Sequence, residues 1–288
     1  MNYLKIKQKL SDLAVLLLGR RLSYSLRYFH IRGRWPNLKD PKDLSEILIS
    51  RILSNDFEKY ACYADKKEVR KYIIKKGLED HLLRHYFYWE DVSEISVDVL
   101  PEKFVLKASN GAGGKNIFIC RDKKLFDLEN AKQQLSKVLK KKYKYEKQYN
   151  VFRPCVICEE LIETFDDSMP TDYKFTCIHG QPVDIFIGTE REKGVKFCTR
   201  NLDWSVLDYT KPSFLPREEP TRPQKLDDMI KIAKILSSDF DFVRVDLYEY
   251  KDNVYFGELT FSPWGGIMYS YTDEAIKEYG RLLRKENL

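Results

Sequence analysis

Apolar positions recur at helical spacing near the start of the chain, at Ile6, Leu10, Leu13 and Leu17, with lysines and arginines between them. This predicts an amphipathic helix within residues 1–30. A proline-punctuated connector follows, RGRWPNLKDPKDLSE at 32–46, and a second helix is expected to start near Asp43. Helical periods continue over 43–60, 65–76 and 78–86, with Gly77 as a C-cap. The period then shortens, and SEISVDVLPEKFVLKAS opens a region of strands. Residues 123–148 return to helical spacing at Leu128, Leu135 and Leu139. Strands resume in PCVICEELIE, DYKFTCIHGQPVDIFIGTE and GVKFC, with a hairpin turn at His179-Gly180. RNLDWSVLDYTKPSFLPREEPTRP reads as an irregular loop. A helix at 223–237, two strands joined at Lys251-Asp252-Asn253 and a last helix over 271–284 complete the chain. The order predicts an α+β fold with mixed sheets.

Composition narrows the class. A chain of 288 residues can bury a large core divided over two or three subdomains. No run of 18 apolar residues occurs, so a spanning helix is not expected. LAVLLLG at 13–19 is too short, and it lacks the small-residue cleavage pattern of a secretory signal. A cytoplasmic protein is the expectation. The formal charge of +6 suits an anionic substrate or contact with an anionic membrane. The first helix has two readings: packing on the body of the protein, or peripheral contact with the inner membrane surface. KVLKKKYKYEKQ reads as a solvated helix face running into a loop, and no nucleic-acid partner is expected. Cys155 and Cys158 form the one CxxC, with no second pair and no histidine nearby, so buried thiols are expected in place of zinc.

Three stretches could carry chemistry. In FVLKASNGAGGK, a strand lysine, Lys107, leads into a glycine-rich turn followed by another strand. Glycines let backbone approach an anion closely, and the absence of a following helix argues against a P-loop. The stretch fits a hairpin closing over phosphates, or a plain flexible turn. In VRVDLY and FGELTF, Asp246 and Glu258 interrupt apolar strands, and Arg244 shares a face with Asp246. A carboxylate in a buried strand is costly unless paired or metal-bound. The pair could hold Mg²⁺ while Arg244 meets phosphate, or form a structural ion pair with it. In CEELIE and TDYKF, Glu159 and Glu160 end a strand, and Asp172 and Lys174 can share a face. Asp239-Phe240-Asp241 is a short Asp-x-Asp of the kind that can hold a metal against a sugar nucleotide.

The order of NLKDPKDLSE, ADKKEVRKYI, FVLKASNGAGG, VICEELIE, DYKF, VRVDLY and GELTFSPWGG resembles the ATP-grasp superfamily, and more closely its TupA-like members from bacterial surface-polysaccharide gene sets, some labelled glycosyltransferase. The resemblance implies an ATP-grasp fold, with nucleotide held between two α+β subdomains, behind a helical region. The parts would be residues 1–90, 91–165 with the flap, and 166–288 with the metal site. ATP and Mg²⁺ are the implied cofactors. Lys107 would meet the α- and β-phosphates under a flap that includes Asn110, Gly111, Gly113 and Gly114. Glu159, Glu160, Leu161 and Ile162 would form the adenine hinge, with Glu163 near the ribose. Lys174 would lie near the phosphates and Arg244 at the γ-phosphate, with Asp246, Glu258 and Thr260 at the metal. Thr260 departs from the family's usual asparagine, and KDLSEILISRIL departs from the usual form of the N-terminal motif. The implied reaction is a carboxylate–amine ligation through an acyl phosphate. Its partners would be an anionic glycan or sugar carboxylate and an amine. A glycosyltransferase, a glycan kinase and a non-catalytic scaffold are the alternatives.

Overall fold

A computed structural model describes residues 3–54, 56–111, 116–164, 169–190 and 194–285, with side chains from residue 17 onward. In chain order its helices and strands are α1 (Tyr3–Arg32), α2 (Leu44–Leu53), α3 (Ala61–Ala64), α4 (Val69–Lys75), β1 (His85–Trp89), β2 (Phe104–Ala108), β3 (Ile117–Cys120), α5 (Leu128–Leu139), β4 (Val156–Glu159), β5 (Asp172–Ile178), β6 (Gln181–Thr189), β7 (Lys196–Arg200), β8 (Val206–Leu207), α6 (Leu226–Ser237), β9 (Phe242–Tyr250), β10 (Asn253–Thr260) and α7 (Asp273–Leu283).

The strands form two sheets, one ordered β1-β4-β2-β3 and the other β10-β9-β5-β6-β7-β8. Every strand pairing among the described residues is antiparallel, so the expected mixed sheets are not found. Most neighbours on the large sheet are joined by short hairpins, which only antiparallel pairing permits. The helix expected over 78–86 is also absent. A short 3-10 turn at Glu79–His81 leads into β1, whose aromatic run HYFYW suits a pleated surface better than a helix.

Period-two alternation divides the large sheet. Val243, Val245 and Leu247 of β9 point into a core with Met229, Ala233 and Leu236 of α6. Arg244, Asp246 and Tyr248 point the other way, toward the cleft between the sheets. A second core joins Phe186 and Phe197 to Tyr271, Ile276 and Tyr279 around α7. A third packs Phe104 and Leu106 of the small sheet against Leu135 and Val138 of α5.

The entry to α2 is fixed as the sequence suggested. Asp43 accepts from Glu46 N at 2.9 Å, and Glu46 reaches back to Asp43 N at 3.4 Å, a reciprocal capping box. Arg34 donates to both carboxylates and ties the connector to the helix. Upstream, α1 is interrupted at Gly19, whose φ of 72° and ψ of 164° are open to glycine but strained for other residues.

Candidate functional site

The cleft between the sheets encloses about 860 Å³. Its large-sheet wall is built by register. Lys174 of β5 lies directly opposite Asp246 of β9, and Asp246 lies opposite Glu258 of β10. The last pairing depends on a bulge. Phe256 faces Leu247, and regular pairing would then set Glu258 against Val245, whose side chain faces the core. The register shift between Phe256 and Glu258 turns Glu258 to the Asp246 side instead. Gly257 permits it: a Cβ there would sit 2.8 Å from the Tyr248 ring and 3.0 Å from the Asp246 carbonyl oxygen.

These residues form one ionic network. Arg244 donates to both oxygens of Asp246, at 2.7 and 2.6 Å, and Lys174 donates to Asp246 at 2.6 Å and also to Asp172. Arg244 reaches Glu258 at 3.3 Å and Thr260 at 3.2 Å, and Thr260 donates to Glu258 at 2.7 Å. Burial pushes the Glu258 carboxyl up, but the charges of Lys66, Arg244 and Lys174 outweigh it and hold the group at about 2.

The small sheet supplies the facing wall. Lys107 lies on the β2 face that carries Val105, and Val105 is paired with Glu159 at the end of β4. The Lys107 ammonium is 2.5 Å from Glu159 Oε1, and His85 Nε2 is 3.2 Å from Oε2. Burial raises the Glu159 carboxyl, and Lys107 and His85 together bring it down to about 2. The Glu159 side chain is thus the counter-ion of Lys107. Glu160, Leu161 and Ile162 continue along the cleft wall, with Glu160 N donating to Arg84 O at 2.9 Å. Glu163, expected near the ribose, pairs with Lys103 and is not among the cleft-lining residues. Asn110 is buried with its Oδ1 unpartnered, and Tyr143 donates to its carbonyl at 2.8 Å. Gly111 lines the cleft. Gly113 and Gly114 lie outside the described residues.

Several functional positions escaped the sequence reading. Lys66, between α3 and α4, donates to Gly111 O at 2.6 Å and lies 3.6 Å from Glu258 Oε2, so it ties the start of the glycine turn to the large sheet. Lys141, Lys142 and Lys144 line the cleft with Arg27, where a solvated face had been expected. Glu146 lies in the same wall. Ser262 donates to it at 2.6 Å, and burial pushes its carboxyl up against the pull of Ser262 and Arg27. Single lysines and glutamates in loops carry no periodic signal, so only the folded chain brings these together. By contrast, the Asp-x-Asp is spent elsewhere: Asp239 pairs with Lys76 at 2.9 Å and Asp241 with Arg51 at 2.6 Å, and neither lines the cleft. Cys155 and Cys158 are buried free thiols, pushed by burial to about 11 and 12.

The donor set fits Mg²⁺. All the donor atoms are oxygens, from Asp246, Glu258 and Thr260. Asp172 Oδ1, on the neighbouring carboxylate, is buried without a hydrogen-bond partner. Burial and the charges of Asp172 and Glu258 push the Asp246 carboxyl upward against Arg244 and Lys174, and a divalent cation relieves such crowding. Among the described residues no three His, Cys, Asp or Glu side chains form a closed cage. Two carboxylates without a cage suit a cation that keeps water and phosphate oxygens in its shell.

A family model described as TupA-like ATPgrasp matches residues 46–284. Among solved structures, the chain is similar to D-alanine-D-alanine ligase from Helicobacter pylori, at 16% identity and a TM-score of 0.44, covering 78% of this chain and 61% of that one. It is also similar to D-alanine-D-alanine ligase from Bacillus anthracis complexed with ATP, at 14% identity and a TM-score of 0.43, covering 82% and 70%. An ADP complex of N5-carboxyaminoimidazole ribonucleotide synthetase matches at 12% identity and a TM-score of 0.44, covering 70% of this chain and 46% of that one. None of the curated proteins matches.

Proposed function

Because the chain belongs to the TupA-like ATP-grasp family, we propose that it is an ATP-dependent carboxylate–amine ligase acting on a uronic-acid-containing surface glycan or its precursor. The observation that carries this reading is the opposed arrangement of cations. Arg244 and Lys174 sit beside Asp246 on one wall, Lys107 sits on the other, and Lys66 runs between them. Such a set offsets the charge that spreads over transferring phosphoryl oxygens.

In the proposed reaction, ATP lies with its adenine against Glu160–Ile162 and its phosphates between Lys107 and Arg244. Asp246, Glu258 and Thr260 would hold Mg²⁺, which would supply charge neutralisation for the phosphates. A substrate carboxylate oxygen attacks the γ-phosphorus, the bond to the β-bridging oxygen breaks, and ADP departs. An amine then attacks the acyl carbon of the acyl phosphate. The carbon–oxygen bond breaks, phosphate leaves, and the amine gives up a proton. Glu146, with its raised carboxyl, is the residue suited to take that proton. Lys141, Lys142, Lys144 and Arg27 in the wall favour an anionic acceptor.

Incubation with ATP, Mg²⁺, candidate uronates and amines tests the proposal. Release of ADP and phosphate together with an amide product supports it. Phosphate retained on the glycan replaces the ligase with a kinase, and transfer from a sugar nucleotide without ATP rejects both.

A further inference from the structure

The outward face of α1 takes no part in the cleft. The inner face is fully engaged: Tyr24 and Tyr28 are completely buried, Ser23 Oγ lies 2.5 Å from the Tyr145 hydroxyl, and Arg20 donates to Ile52 O at 2.7 Å. On the opposite side Leu22, Leu26 and Phe29 are 45%, 40% and 42% exposed. At about 100° per residue these three fall within an arc of roughly 60°. Trp35, 54% exposed, stacks on Phe29 with ring centroids 5.1 Å apart and extends the strip past the helix end. Leu17 and Leu18, before the break at Gly19, are also exposed. A contiguous apolar strip of this kind marks an interaction surface.

Charge identifies the partner. Residues 1–35 hold eight lysines and arginines against one acidic residue, Asp12, while the rest of the chain holds 42 basic and 43 acidic residues. The whole positive excess of the protein therefore lies on this one segment. Part of it is used internally: Arg20 donates to Ile52 O, Arg27 lines the cleft, Arg32 pairs with Asp273, and Arg34 pairs with Asp43 and Glu46. Arg21 is exposed beside the strip. A second copy of the chain would bring two such segments together against their repulsion. No helix among the described residues is long and apolar enough to cross a membrane. We propose that the part of α1 after Gly19 lies in the plane of an anionic lipid surface, with Leu22, Leu26, Phe29 and Trp35 in the headgroup–acyl boundary and Arg21 at the phosphates.

The test is co-sedimentation of the full chain with vesicles of phosphatidylcholine, alone or mixed with phosphatidylglycerol. Binding is expected to the mixed vesicles and to weaken with added salt. Leu22→Gln with Leu26→Gln is expected to lower partitioning by roughly tenfold or more, and Arg21→Gln by roughly fivefold on the anionic vesicles alone. Thermal melting and calorimetric ATP titration of each variant check the fold and the cleft. Arg21→Gln changes one exposed side chain, so it remains a test even if the leucine variant misfolds. Equal binding to both vesicle types, or variants that partition like the parent protein, would overturn the proposal. So would self-association in sedimentation velocity that the leucine variant abolishes, because the strip would then join copies of the chain.

Discussion

Replacing Lys107 with alanine removes a charge that serves two partners. In the protein alone its ammonium lies 2.5 Å from Oε1 of Glu159, which is 7% exposed. Truncation strands that carboxylate, and breaking a buried pair in this way costs about 3–5 kcal/mol. His85 offsets part of the cost. Burial first, and the Lys107 charge among other influences, hold its imidazole down, so loss of Lys107 lets it protonate more readily beside Glu159. Glu159→Gln removes the stranded charge, and the double variant isolates what Lys107 does for phosphate. A hydrogen bond to a charged group contributes about 1.5–3 kcal/mol, a loss of roughly 10- to 100-fold in affinity. The assay is calorimetric titration with a non-hydrolysable ATP analogue and Mg²⁺, with thermal melting in parallel. Lys107→Ala should melt early and bind weakly, while the double variant should regain stability and still bind weakly. A double variant that binds as tightly as the parent protein would refute the reasoning and leave Lys107 as a structural counter-ion.

Other outcomes follow from the same geometry. Gly257→Ala should cost about 1–3 kcal/mol in melting experiments through its clash with Tyr248 and the Asp246 carbonyl, and should abolish magnesium-dependent nucleotide binding by turning Glu258 out of register. Glu159 and Glu258 are both held at about 2 against an ordinary value of 4.5, where burial is outweighed by neighbouring cations. Their stabilisation is therefore complete above pH 4.5 and lost as the pH falls toward 2, and the melting temperature should drop steeply across that window, less so in Glu159→Gln. Glu146→Gln should slow amide formation at least tenfold at neutral pH without weakening ATP binding; unchanged turnover would remove it from the reaction. Asp239→Asn with Asp241→Asn should leave ATP binding unchanged, because both carboxylates are paired outside the cleft.

The α+β order and the strand charges Lys107 and Asp246 were legible because strands and helices impose different periods, and because charges inside apolar strands stand out. Glu258 was legible as a partner of Asp246 on an adjacent strand, but the register that joins them was not. FGELTF alternates as an ordinary strand, and only the bulge at Gly257 brings Glu258 opposite Asp246. The isolated glycine was the available signal. The side-chain partners of Glu159 were not legible for a related reason: a carboxylate at a strand end looks exposed until β1, whose first two residues fell within the helix expected over 78–86, brings His85 against it. Lys66 and Lys141–Lys144 look in sequence like the chain's many surface lysines, and only tertiary packing distinguishes them.

The central claim is that the two walls grip ATP through a magnesium ion at Asp246 and Glu258. Calorimetric titration of ATP with and without Mg²⁺, on the parent protein and on Glu258→Gln, tests it most directly. The account predicts tight binding by the parent protein only when Mg²⁺ is present, and loss of that magnesium dependence in the variant with the fold intact. Binding that is absent in the parent protein, or equal in both proteins and indifferent to Mg²⁺, would contradict it.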